Sequence, residues 1–177
     1  MELQQQSVEA APPQSVVDPR TFRRVLGHFA TGVTVITTAY EGQVHGMTAN
    51  AFMSVSLDPP LVLVSIDNRT RMREWLERSR RYAVNILSSE QEAVAQHFAG
   101  RPQKNLALSF LWKAELPLLE KALAHLLCQV KEVHPAGDHT LYIGLVEALE
   151  AHEGLPLLFY SGNFRCLEVQ IHDPWIW

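Results

Sequence analysis

Cysteine is scarce, neither sign of charge is in excess and no apolar run is long, and each shortage removes a class of protein. The two cysteines, Cys128 and Cys166, stand in apolar segments without CxxC spacing. Buried free thiols in a reducing cytoplasm are expected, rather than a disulfide or a ligand pair. Lys and Arg number 15 against 19 Asp and Glu, a net charge of -4. That leaves no basic excess to neutralise a phosphate backbone, so nucleic acid is not an expected partner. The longest apolar stretches, around Leu61 to Ile66 and Ala122 to Val130, fall well short of the roughly 20 residues a helix needs to cross a bilayer. No membrane span is expected. Met1 is followed by Glu2, Gln4, Gln5 and Gln6, with neither the basic start nor the apolar run of a secretory signal. Chemical signatures are missing too. There is no GxGxxG or GxxxxGKS/T loop for a dinucleotide or ATP, and no GxSxG for a serine nucleophile. The eight histidines form no HxH, HExxH or His/Cys box, and His134 and His139 straddle a turn. No metal site is expected.

What is present is enough apolar material, 47% of 177 residues with 19% charged, for one domain with a core. Residues 1 to 18 are rich in Gln, Ala and Pro and read as a flexible tail or partner-binding arm. Asp18-Pro19 then opens an amphipathic helix with Phe22, Val25, Leu26 and Phe29 on one face. Strand patterns follow at Gly32 to Thr38, Val44 to Thr48, Phe52 to Leu57 and Leu61 to Ile66, the last two separated by Asp58-Pro59-Pro60, where a corner is expected. Asn68 or Thr70 caps a short helix with Met72, Trp75 and Leu76 on one face. Tyr82 to Leu87 reads as a strand, and Ser89 with Glu92 forms a capping box for a helix that stops at Gly100. Beyond an aromatic and Pro-rich loop come strands Ala124 to Val133 and His139 to Glu150, joined by a turn, and the pair Leu157 to Tyr160 and Phe164 to Ile171. Eight or nine strands with hairpin-scale connections and three short helices favour an antiparallel barrel over a parallel sheet.

The densest polar constellation lies between residues 46 and 71. Gly46, Thr48, Asn50, Ser54, Ser56, Ser65, Asn68 and Thr70 alternate with Met47, Phe52, Met53 and Val55. Short hydrogen-bonding groups among apolar ones suit an aromatic ligand with an amide edge. The start of the helix after Thr70, with Arg69 and Arg71, suits a phosphate. Composition and spacing are equally compatible with a Ser/Thr-rich barrel corner capped by an ordinary helix.

The segments GHFATGVTVITT (27 to 38) and HGMTANAFMSVSLDPPLVLVSI (45 to 66) resemble the short-chain flavin reductase family of the FMN-binding split barrel. Within it, the segments look like those of the reductase components of two-component phenol and 4-hydroxyphenylacetate monooxygenases. RYAVNILS, HFAG, AGDHTLYIGLVE and PLLFYSGNF continue the resemblance in order, over roughly residues 19 to 168.

That resemblance implies a mainly β protein, a six-stranded Greek-key split barrel with added helices, as a homodimer with the flavin near the subunit interface. The barrel domain would span 19 to 171, and the aromatic extension 172 to 177, with Trp175, Ile176 and Trp177, would pack on the other subunit or a pocket mouth. Thr48, Ala49, Asn50, Ala51, Phe52, Ser54 and Val55 would line the isoalloxazine and ribityl chain. Ser65, Ile66, Asn68, Arg69, Thr70 and Arg71 would hold the phosphate, and Phe98 and Ala99 would approach from the helix end. His139 would position the nicotinamide, with Tyr160 nearby. The implied activity is hydride transfer from NADH or NADPH to FAD or FMN, with reduced flavin passed to a separate oxygenase. A flavin-binding electron carrier that never meets free NAD(P)H is the alternative.

Overall fold

Asp18 and Pro19 act as their residue types dictate. The Asp18 carboxylate accepts the Thr21 backbone N–H at 2.8 Å, and the proline occupies the first turn, where no N–H is needed. The computed structural model describes residues 17–168, and in it α1 runs Pro19–Leu26. The C-terminal hexapeptide and most of the N-terminal tail lie outside the described residues. The apolar face of α1 does not enter the core. No residue of the helix is buried, and Phe29 just beyond it is 77% exposed.

The main sheet is antiparallel throughout. Its strands are β2 Thr34–Tyr40, β3 Gln43–Ala49, β4 Phe52–Leu57, β5 Pro60–Asp67, β6 Arg81–Ile86, β9 Ala124–Ala136 and β10 His139–Ala151, in the order β3-β2-β6-β9-β10-β5-β4. It therefore holds seven strands where the resemblance implies six. β1 Thr31–Gly32, β11 Leu157–Tyr160 and β12 Asn163–Cys166 form a second small sheet, and β7 Phe110–Lys113 pairs with β8 Leu116–Leu119. Three helices complete the described chain: α1, α2 Arg71–Ser79 and α3 Glu92–Phe98. None is long and apolar enough to cross a membrane.

The two outer strands of the main sheet, β3 and β4, are joined by only Asn50 and Ala51. Three Cα steps cover at most about 11 Å. A flat seven-stranded sheet would hold its edges about 29 Å apart. The sheet must therefore curl until its edges adjoin, and they do so without pairing; Ala51 O accepts the Ser65 N–H instead, at 3.0 Å. This is a split barrel, and the polar constellation of the sequence sits on its seam.

Alternation on β5 buries Val62, Val64 and Ile66 beside Ile36, Tyr82, Val84, Cys128 and Tyr142, while Met72 and Leu76 of α2 join the same core. A second cluster, with Val33, Val35, Leu87, Ala95 and Leu157, lies under α3.

Several local expectations shift. The chain between β4 and β5 is a tight hairpin, with Leu57 opposite Pro60, rather than a corner. Thr70 occupies the cap position of α2, and Asn68 instead accepts the Thr140 hydroxyl at 2.6 Å. The capping box forms one residue early, from Ser88 and Gln91 across a 3₁₀ turn. β12 ends at Cys166, which is exposed; only Cys128 is a buried thiol.

Candidate functional site

Crossing the seam, the chain passes from the lining of one cavity to that of another. The first, about 810 Å³, is lined by Thr48 from β3, by Thr70 and Arg71 at the start of α2, and by Phe98 and Ala99 at the end of α3. Five predicted residues from three separate segments thus meet on one wall. The second, about 770 Å³, takes Asn50, Ala51 and Phe52 together with Leu26, Phe29, Thr34 and Leu63.

The first cavity is built by two docking events. α3 is tied to β3 by the Thr48 hydroxyl, which donates to Ala95 O at 2.7 Å. Gly46 lets the Phe98 ring lie directly on the strand: a Cβ there would meet a ring carbon at 2.6 Å. α2 is then aimed by the turn before it. Asp67 accepts the Arg69 backbone N–H at 2.8 Å and the Arg69 guanidinium at 3.1 and 2.7 Å, while the Thr70 hydroxyl donates to Asp67 O at 2.7 Å. The outcome is a helix start and the Arg71 cation at the cavity edge. Among the described residues, no carboxylate lines either cavity.

Arg69 does not add free charge to this end. Its guanidinium is 81% exposed and spent on Asp67, whose carboxyl it holds far below the usual range. Ile66 and Ala49 are buried among core residues, so their side chains are not available to a ligand. Ser54 and Val55 lie on β4, where the register with β5 slips, and line neither cavity. Ser65 and Asn68 stand behind the seam and the α2 turn as backbone supports.

His139 opens β10 directly opposite Asp67 of β5, and its Nδ1 lies 2.7 Å from Asp138 Oδ1. That contact lowers the Asp138 carboxyl below its ordinary value. His139 thus stands beside the turn that presents Thr70 and Arg71. Tyr160 is distant from this group in the pairing scheme: its hydroxyl lies 3.4 Å from His28 Nδ1, and it lines neither cavity.

Sequence reasoning missed other lining residues. His45, whose ring stacks on Trp75 with centroids 5.4 Å apart, and His97, Leu108 and Phe110 complete the first cavity. Burial and, next, Arg71 push the His45 imidazole below its ordinary value. The alternation of β3 puts His45 on the face opposite Gly46 and Thr48, and Phe110 enters from a segment with no period to read. Phe29 and Leu63 in the second cavity look like core residues in the sequence.

A cation and helix start at one end, aromatic walls and a hydroxyl-bearing strand suit a flat heterocycle carrying a phosphate. Comparison with known proteins agrees with this chemistry. The model of the flavin reductase like domain matches residues 26–168. An NADH-dependent flavin reductase of a Rhodococcus species is 52% identical over 163 residues, covering 90% of this chain and 93% of its own. The reductase component of 4-hydroxyphenylacetate 3-monooxygenase from Thermus thermophilus is 41% identical, covering 82% and 95%. The solved structure of the flavin reductase PheA2 in its native state superposes with a TM-score of 0.84 at 51% identity, over 86% of this chain and all of that one. The chain belongs to the flavin reductase like domain family.

Proposed function

We propose that the protein is an NAD(P)H-dependent flavin reductase that passes reduced flavin, FAD or FMN, to a separate aromatic monooxygenase, and that it works as a homodimer. The meeting of Thr48, Thr70, Arg71, Phe98 and Ala99 on one cavity carries this reading. When bound together, the two nucleotides would supply the redox chemistry, hydride transfer from the reduced nicotinamide to the flavin with a proton taken from solvent. No carboxylate or activated nucleophile of the chain is required, because alignment and electrostatics are the protein's share.

In this reading Arg71 and the first turn of α2 hold the flavin phosphate, with Asp67 and Arg69 fixing the turn. Thr48 to Phe52 offer backbone groups along the seam, where neither β3 nor β4 has a strand on its outer side among the described residues. Phe98 and Ala99 close one face and exclude water. His139 positions the nicotinamide beside the same turn. Tyr160 is kept as a second nicotinamide contact on the resemblance alone. NADH is the favoured donor because the Rhodococcus relative is named for it. The free thiols fit a cytoplasmic setting.

The deciding experiment is steady-state kinetics of purified protein over the four flavin and nicotinamide pairs, following loss of nicotinamide absorbance. Turnover with free flavin is expected. A yellow protein that does not oxidise NADH or NADPH would replace the reductase with an electron carrier.

A further inference from the structure

At the ends of β9 and β10, outside both cavities, three side chains with no part in hydride transfer face one another. His125 is only 1% exposed. Its Nε2 lies 2.8 Å from Leu119 O, and since a carbonyl only accepts, that nitrogen carries the hydrogen. The other ring nitrogen, Nδ1, lies 3.0 Å from Glu150 Oε1. A proton or a metal cation can bridge the two atoms at that distance. Glu150 is the direct cross-strand partner of His125, so the sheet register enforces the approach. His152 follows two residues later, anchored by its backbone N–H to Leu123 O at 2.6 Å, with its ring centroid 5.9 Å from that of His125. One donor atom from each of the three lies within 4.8 Å of the others.

We propose that His125, Glu150 and His152 form a Zn²⁺ site. Two imidazoles and one carboxylate are a donor set that zinc favours, and bonds of about 2.0 to 2.2 Å in tetrahedral geometry separate ligand atoms by about 3.3 to 3.6 Å. The observed 3.0 Å between His125 and Glu150 needs only a slight opening. The Leu119 carbonyl fixes the tautomer and ring orientation of His125, as outer partners of metal-bound histidines do. Lys113 Nζ, 2.9 Å from Glu150 Oε2, takes the other carboxylate oxygen and leaves Oε1 to the metal. His152 and part of Glu150 reach solvent, so the fourth position belongs to water. Zinc is redox-inactive, and the site lines neither cavity; it clips β8, β9 and the end of β10 together.

The test uses the full chain, stripped with EDTA and dialysed, then titrated with ZnCl₂ by calorimetry and with CoCl₂ by visible absorption. One Zn²⁺ per chain, the strong visible bands of tetrahedral Co²⁺, and a Zn²⁺-dependent rise in thermal midpoint are expected. His152→Ala, at a surface position, should weaken Zn²⁺ at least roughly tenfold and abolish the rise. Its midpoint in EDTA and its flavin reduction should not change. Glu150→Gln should behave likewise toward Zn²⁺, and His134→Ala should bind as the unmodified chain does. No Zn²⁺-dependent rise in the unmodified chain, or equal Zn²⁺ affinity in it and in His152→Ala, overturns the proposal.

Discussion

His139 is held by what surrounds it: Asp138 at 2.7 Å, and Asp67 across the strand pair. A ring so placed can orient a nicotinamide without entering the hydride step. His139→Ala is therefore expected to raise KM for NADH by a larger factor than it lowers kcat, in steady-state assays with flavin saturating. The reverse pattern would make it a proton donor. His45 sets a pH dependence. Burial and Arg71 lower its imidazole below the ordinary 6.5, so on acidification the unfolded chain binds that proton before the folded one does. The stability that neutral His45 contributes is complete above pH 6.5 and drains as pH falls through the lower folded value. His45→Gln should flatten this part of the fall in thermal midpoint below pH 6.5, measured by calorimetry without ligand. At this scale the sequence revealed the right residue types but not their commitments. Arg69 was legible as a cation near a phosphate site; that Asp67 consumes it depends on a turn whose shape only the fold supplies.

Among the elements, all nine strand patterns in the sequence correspond to strands, because alternation and hairpin turns are local signals. The β7–β8 hairpin was hidden. Its strands are four residues each, one contains Pro117, and its turn puts Ala114 and Glu115, neither of them glycine, at positive φ. No Asn-Gly or Asp-Gly announces it. Helix α1 was legible as amphipathic, but periodicity does not say what its apolar stripe faces. The docking of α3 on β3 rests on a missing side chain. Gly46→Ala would force the Phe98 ring off the strand, and the expected result is a several-fold loss of flavin affinity by fluorescence titration, with a stability cost of about 1 to 3 kcal/mol by urea unfolding. Unchanged affinity would remove Phe98 from the flavin site.

For the molecule as a whole, part of the apolar surface left outside gathers at the second cavity. Phe22, Val25, Leu26 and Phe29 of the α1 region, and Met53, Val55 and Leu57 of β4, are all exposed, and Leu26, Phe29 and Met53 share the second cavity. Leu57 at 92% exposure and Phe29 are costly to leave in water, and a second copy of the chain is the cover proposed for them. Replacing both, Phe29→Asp with Leu57→Asp, is expected to turn a dimer into a monomer in sedimentation velocity and to weaken flavin binding in parallel. A monomeric unmodified chain would refute that arrangement. The seam between β3 and β4 has a further consequence. Its outer edges carry backbone amides that no strand among the described residues protects, so they are expected to exchange hydrogen with solvent more readily than the rest of the barrel. A ligand lying along residues 48 to 52 would slow that exchange, and the pattern of slowed amides would trace where the molecule is held.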